Sequence, residues 1–422
     1  MNKLTLETEP GCMDDHDPSS LSIDNALEKI RALLTPVSET ETVELQHALN
    51  RILAGNLVAP TDMPAQANSA MDGYAINSED IPKQGVKKLE LIGTSRAGAP
   101  FDKSVKTGTC VRIMTGAVLP AGTDTVVIQE NTQRTDNSIL IDARTLQGEN
   151  IRLPGENYSR GDLLLQAGIR LYPAELGLIA SLGMGEITVK RKVRAAVFST
   201  GDELRNSGET LDPGCIYDSN RQVLYAMLGR LGIETIDMGI IKDNKAAIEE
   251  TLLSAADCAD VVIVSGGVSV GDADFTREIL EKTGTLAFWK IAMKPGRPLV
   301  FGQVKNAWFF GLPGNPVSTM VTFYQVVQPT LRTLMGSREY QPFTVRAVTT
   351  SNLKKRPGRR EYQRGILQKT AGGEYTVNRT GTQGSAVLTS MTQANCFIVL
   401  PVESDGVMAG ETVEVQPFYG LM

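Results

Sequence analysis

The stretch "VVIVSGGVSVGDADFT", residues 261–276, decides the fold. Four branched apolar residues, Val261 to Val264, run straight into Ser265-Gly266-Gly267, and Asp272 and Asp274 follow close behind. A short, continuous apolar run that stops at turn residues reads as a strand buried on both faces. Glycines and two carboxylates just after it suggest an oxyanion or metal site at the carboxyl end of that strand.

Working outward, the pattern is regular. The strand "VRAAVFS" (193–199) precedes a helix at "SNRQVLYAMLGRLG" (219–232), whose Val223, Leu224, Met227, Leu228 and Leu231 form one stripe. The strand "ETIDMGII" (234–241) leads to the helix "NKAAIEETLLSAAD" (244–257) and then to the 261–265 strand. A helix near "FTREILEKTG", two strands ("LAFWKIA" and "PLVFGQV…AWFFG") and a long helix from Pro316 complete the unit. Strands that alternate with helices and are apolar on both faces predict a doubly wound parallel sheet with helices on each side, over residues 191–340.

The flanks have a different texture. "SIDNALEKIRALLTP" places Ile23, Leu27, Ile30 and Leu34 at helical spacing, with Ser22 as cap and Pro36 as stop. Short β-type runs ("KKLELIG", "TCVRIM", "TVVIQE", "SILIDA") punctuated by glycine and proline predict a β-rich domain at 61–149. Residues 21–60 and 150–190 are expected to form one discontinuous mixed α/β domain, with the first helix packing on the second segment. The last residues, 341–422, return to β and are expected to form a small barrel or sandwich. The α/β chain is thus multidomain, as 422 residues require. The acidic start, 1–20, is expected to be a disordered leader.

Composition narrows the chemistry. A net charge of −6 disfavours nucleic acid and anionic membranes, which demand a basic footprint. Five scattered cysteines without a CxxC pair argue against a disulfide framework or a thiolate metal site. Having only His16 and His47 argues against His-rich metal centres and most histidine-based triads, and both histidines are read as non-catalytic. There is no signal-peptide pattern and no apolar run approaching the ~18 residues of a membrane span, so a cytoplasmic protein is expected.

Ligands of open α/β sheets bind outside the carboxyl ends of the strands. There the sequence places Thr200-Gly201-Asp202-Glu203, Asp243, Ser265-Gly266-Gly267 with Ser269, Asp272 and Asp274, Lys290, Lys294-Pro295-Gly296-Arg297 and Pro313-Gly314-Asn315-Pro316. Singly, each has a plain alternative: Asp243 or Asp272 a helix cap, Gly266 and Gly267 a turn, Pro316 a first-turn helix proline, the lysines solvated charges. Together they suit a phosphorylated ligand. Glycine-loop amides and the helix start after Asn315 would hold phosphate, Glu203, Asp243 and Asp274 would hold Mg²⁺, and Lys290 and Lys294 would neutralise a second anion. Neither a P-loop nor a dinucleotide-binding glycine turn is present.

"FSTGDEL" (198–204), "SGGVSVGDAD" (265–274), "KPGRP" (294–298) and "GLPGNPVS" (311–318) resemble the molybdopterin-binding domain of molybdenum cofactor biosynthesis proteins. With "NSAMDGYA" (68–75) and "RIMTGA" (112–117), the chain from about residue 20 onward resembles the molybdopterin molybdenumtransferase (MoeA) family, relatives of the gephyrin E domain. The resemblance implies a homodimer that takes adenylylated molybdopterin and molybdate, releases AMP with Mg²⁺ and inserts molybdenum into the dithiolene. It further implies exchange with the molybdopterin adenylyltransferase and with apo-molybdoenzymes. It assigns Asp72 and Thr115 to the catalytic cleft, and Glu203, Asp243 and Asp274 to its acidic lining. Lys290, Lys294 and Ser269 become molybdate donors; Pro313 and Pro316 shape the anion loop; Arg364 and Ser385 lie around the cleft. Arg152 is retained, but the family acid after Gly155-Glu156 is Asn157, and an aromatic before "NSAMDGYA" is Gln66. The rival readings are the adenylyltransferase itself, which lacks the two front motifs, and a catalytically impaired molybdopterin-binding paralogue or scaffold.

Overall fold

The computed structural model describes residues 20–267, 273–337 and 341–419, without the side chains of 273–277. The leader expected at 1–20 lies, except for Ser20, outside the described residues. The chain divides into two compact units.

The first unit comprises residues up to 54, 168–176 and 185 onward, and its centre is an α/β sheet. Its helices are α1 (Ile23–Leu33), α2 (Ser219–Leu231), α3 (Lys245–Cys258), α4 (Ala273–Thr283) and α5 (Pro316–Thr322). Its strands are β1 (Arg194–Thr200), β2 (Glu234–Ile241), β3 (Val261–Ser265), β4 (Gly284–Lys290), β5 (Pro298–Val304) and β6 (Ala307–Leu312), in the order β2-β1-β3-β6-β5-β4. Alternation along the strands explains the two-sided core. Ala195, Val197, Val261 and Ile263 face one cluster with Leu224, Met227 and Leu228 of α2. Their neighbours Ala196, Phe198, Val262 and Val264 face the other, with Ile248 and Leu252 of α3.

The sheet is not wholly parallel, contrary to the sequence expectation. β2, β1, β3 and β6 run parallel, but β5 is antiparallel to both β6 and β4. The reason is local. Val304 pairs with Ala307, so only Lys305 and Asn306 connect β5 to β6, and a two-residue connection can join only antiparallel strands. Lys305 takes a φ of 50° to close that turn.

Helix α1 begins where Ser22 Oγ accepts the Asn25 N–H, as its sequence signature predicts. It buries Ile23, Ala26 and Ile30 against the α/β core, not against the 150–190 segment expected to receive it. The long helix from Pro316 runs to Leu334 with one wide turn at Phe323–Val327, where the Gln328 N–H reaches back to Phe323 O. Pro329 offers no N–H to the carbonyl four residues before it, and the wider turn accommodates that loss. At the end of the chain Arg360–Lys369, Tyr375–Arg379, Val345–Thr349, Thr412–Pro417 and Cys396–Leu400 pair in sequence around a closed five-stranded barrel. Closure removes the free edges that such short strands would otherwise expose.

The second unit, residues 55–167 and 177–184, holds a six-stranded sheet in the order Thr125–Ile128, Gly73–Ile76, Thr109–Ile113, Val86–Ser95, Ser138–Asp142, Gln133–Thr135. Tyr74, Ile76, Leu89, Cys110, Val127, Ile139 and Ile141 form its core. Cys110, Cys215, Cys258 and Cys396 are all free, and burial pushes the thiols of Cys110 and Cys396 up to about 12. No described helix is long and apolar enough to cross a membrane.

Candidate functional site

A cleft of about 1360 Å³ opens at the carboxyl ends of the parallel strands, walled on the far side by the barrel. Glu203 and Asp243 line the rim. Their loops are tied together: the Gly201 N–H bonds Ile241 O at 3.3 Å, and the Asp243 N–H bonds Asp202 Oδ1 at 3.4 Å. Asp243 is not a helix cap, because Asn244 caps α3 through its own side chain. The floor is the Gly266–Gly267 turn, with φ of 91° and 64°. A Cβ on Gly266 would lie 2.7 Å from Thr200 O, and one on Gly267 2.7 Å from Thr200 Oγ1, so only glycine fits between these strand ends.

Two other placements differ from expectation. The N-terminus of α5 is not an open phosphate cradle: Pro316 has no N–H, and the Val317 N–H is taken at 3.0 Å by Ser385 O from the barrel. Lys294 lines the cleft, but its Nζ pairs at 3.3 Å with Glu361, a buried carboxylate that also accepts from Gln363 Nε2. Arg364 is 1% exposed and spends its guanidinium on Ser390 Oγ and Gly384 O, both at 3.1 Å. Burial pulls its pKa down to about 10. It lines the cleft and props the Gly384–Ser385 loop, which lines it too.

Pro313, Gly314 and Asn315 line the cleft as well. Ser265, Pro316 and Lys290 are not among the lining residues. Ser265 Oγ accepts a hydrogen bond at 2.8 Å from Asn220 Nδ2, which also donates to Gly314 O at 2.7 Å. Asn220, unnoticed in the sequence, thereby clamps the two glycine loops. Ser269 and the Asp274 side chain lie outside the described residues.

Asp72, Thr115 and Arg152 belong to the second unit, whereas every residue lining the cleft belongs to the first. Asp72 and Thr115 meet there. Asp72 Oδ1 accepts the Thr115 N–H at 2.7 Å and the Thr115 hydroxyl at 2.8 Å, which hold its carboxyl below the ordinary range. Gly73 beside it has no room for a side chain, since a Cβ would meet Val127 O at 2.1 Å. Arg152 pairs with Asn68 on a short ladder. Asn157 is exposed, its N–H bonded to Met63 O at 2.9 Å.

Among the described residues no group of three or more His, Cys, Asp or Glu is arranged to hold a metal. Glu203 and Asp243 still suit Mg²⁺, which ordinarily uses one or two carboxylates plus substrate phosphates. The cleft's charge favours such a substrate: seven basic side chains line it against four acidic ones, in a chain of net charge −6. Most of the excess comes from the barrel. "KKRPGRR" (354–360) supplies Lys354, Lys355, Arg356 and Arg359, a run whose density was the available sequence signal.

These cations divide by role. Lys355 is buried and donates to the carbonyls of Arg356, Val402 and Ser404 at 3.0–3.1 Å. Lys355→Met is therefore expected to destabilise the protein by about 1–2 kcal/mol. Calorimetric melting would read this as a drop of a few degrees.

Three family models match in order: the MoeA N-terminal region (domains I and II) at 21–183, a probable molybdopterin-binding domain at 196–333, and the MoeA C-terminal region (domain IV) at 346–418. The chain is 45% identical to the molybdopterin molybdenumtransferase of Haemophilus influenzae, over 95% of this chain and 100% of that protein. It is 36% identical to the protein of the same name from Nostoc sp., over 94% and 93%. The crystal structure of a molybdopterin biosynthesis MoeA protein from Pyrococcus horikoshii superposes with a TM-score of 0.81 at 27% identity, covering 94% of this chain and 100% of that one.

Proposed function

The chain belongs to the MoeA family of molybdopterin molybdenumtransferases, and from that premise we propose that it inserts molybdenum from molybdate into adenylylated molybdopterin with release of AMP. The observation that carries this reading is the cleft, with carboxylates on the strand-end rim and an excess of cations. A nucleotide-linked pyrophosphate carries several negative charges and matches that excess. The pterin dithiolene supplies its own sulfur ligands, so the reaction asks for no protein thiolate or imidazole at the metal. Among the described residues no cysteine or histidine lines the cleft.

The residues divide the task. Arg297, Lys354, Arg356 and Arg359 face the anionic substrates and hold their oxygens. The Gly266–Gly267 turn lets backbone approach closely at the floor, and Asn220 keeps it in register with the Gly314 loop. Glu203 and Asp243 would hold Mg²⁺, whose role is to neutralise the charge that develops as the pyrophosphate link breaks. Asp72 and Thr115, already bonded to each other, would contribute from the second unit of a partner copy in a homodimer. We further propose a cytoplasmic protein that receives its substrate from the adenylyltransferase and passes cofactor to apo-molybdoenzymes.

The test is AMP release from adenylylated molybdopterin by the purified chain. Release is expected to require both molybdate and Mg²⁺ and to yield cofactor that activates an apo-molybdoenzyme. Tight pterin binding with no AMP release would instead favour an impaired paralogue, and Asn157→Asp would then be the first variant to assay for recovery.

A further inference from the structure

Among the described carboxylates that line the cleft, Glu361 differs from the rest. Glu203, Asp243 and Asp405 are exposed, whereas Glu361 is 7% exposed. A buried carboxylate is costly unless paired, and in a cleft that takes anions it also opposes the ligand. Glutamine would have the same shape without that charge. Both carboxylate oxygens are nonetheless held in place. Oε1 accepts from Gln363 Nε2 at 3.0 Å, and the same buried amide donates to Lys354 O at 3.0 Å, which anchors it to the barrel backbone. Oε2 lies 3.3 Å from Lys294 Nζ. Lys294 stands directly opposite Glu361 where Met293–Lys294 pairs in parallel with the strand Arg360–Lys369, so the two side chains leave the same face together. The lysine side chain is half-exposed and lines the cleft. A lysine arm is flexible, and ordering it on binding costs affinity unless the fold has already done so.

We infer that Glu361 is a positioning residue, fixing the Lys294 ammonium in the cleft so that it meets an oxyanion oxygen of the substrate. An ammonium has donors to spare beyond the one facing Glu361, so it can serve carboxylate and ligand at once. That the oxyanion belongs to molybdate or to a pyrophosphate link rests on the function proposed above; the placing of Lys294 by Glu361 rests on the geometry. Glu361 also acts electrostatically on the buried Arg364, and the variants below separate that structural use from the positioning role.

The experiment compares wild type, Glu361→Gln, Lys294→Met and the double variant. AMP release is measured over ranges of adenylylated molybdopterin and of molybdate separately, with a thermal midpoint for each protein. Glu361→Gln removes a negative charge from an anion-binding cleft, so charge alone predicts a lower KM. Positioning predicts the reverse: the KM for one of the two substrates should rise about tenfold, the scale of one charge-assisted hydrogen bond. In the Lys294→Met background the same substitution should change that KM by less than about twofold, because its effect passes through the lysine. A KM that falls or stays within about twofold in Glu361→Gln, or a rise that persists undiminished without Lys294, would overturn the proposal. A persistent effect with a lower midpoint would mark a carboxylate that only compensates Arg364. If Glu361→Gln does not fold, Glu361→Asp keeps the charge and shortens the arm: a raised KM that Lys294→Met abolishes supports the proposal, and an unchanged KM overturns it. Should wild type release no AMP, the proposed function fails, and titration of the same proteins with inorganic pyrophosphate and with molybdate still decides the pair. Binding of either probe about tenfold weaker in Glu361→Gln, with no such difference in the Lys294→Met background, supports it. Equal or tighter binding, or no binding by wild type, overturns it.

Discussion

Glu203→Ala is expected to lower AMP release by about a hundredfold to a thousandfold while the thermal midpoint moves by less than about 2 °C. The two halves of that expectation have separate grounds. The Glu203 side chain is exposed on the cleft rim, and its main structural tie is the backbone carbonyl that accepts the Ile216 N–H at 2.9 Å, which alanine preserves. Exposed substitutions of this kind usually change stability by no more than about 0.5 kcal/mol. The loss of turnover follows from the chemistry, because removing one group aimed at developing charge typically costs about 10²–10³ in rate. Glu203→Gln should behave much like alanine, since shape is kept and charge is lost. If both carboxylates serve one cation, Glu203→Ala and Asp243→Ala should combine to much less than the product of their separate effects. Near-normal turnover in Glu203→Ala would remove the metal role assigned to this residue.

The α/β core was legible because its signal is local. Val261 to Val264 alternate between two apolar faces, and helix α2 carries its stripe at helical spacing. Strand direction was not legible, since an apolar strand looks the same whichever way it runs. The direction of β5 was set by a connection of only Lys305 and Asn306, which lacks the glycine that would have announced a hairpin. The site follows the same division. Glu203, Asp243 and the Gly266–Gly267 turn sit at strand ends and could be found one strand at a time. What the sequence hid are the long-range pairings. Lys294 meets Glu361 because Met293–Lys294 adds to a barrel strand, and Ser385 O caps α5 from across the cleft. Spacing along the chain carries no information about either. The 354–360 basic run was visible as composition, yet only the fold sends Lys354, Arg356 and Arg359 to the cleft while Lys355 staples carbonyls and Arg360 pairs with Asp24.

Gly266→Ala is expected to reduce turnover at least about a hundredfold and to lower the thermal midpoint by several degrees. Two costs add at this position. The backbone stands at φ 91°, where a side chain is disfavoured by about 1–2 kcal/mol. The new Cβ would also lie 2.7 Å from Thr200 O, a backbone atom at the end of the adjacent strand that no rotamer change can move aside. The strand ends must therefore separate. That movement reaches the rest of the floor, because the Gly266 N–H bonds Leu312 O and Asn220 ties Ser265 to Gly314. A displacement near 1 Å at a catalytic floor is enough for about a hundredfold loss. Gly314→Ala supplies the contrast. Its nearest neighbour would be the Gly266 Cα at an ordinary 3.9 Å, and its φ is not left-handed, so its midpoint should stay within about 2 °C of wild type. Wild-type stability and turnover in Gly266→Ala would show that the strand ends can part freely, and the tight floor would then not be what positions the substrate.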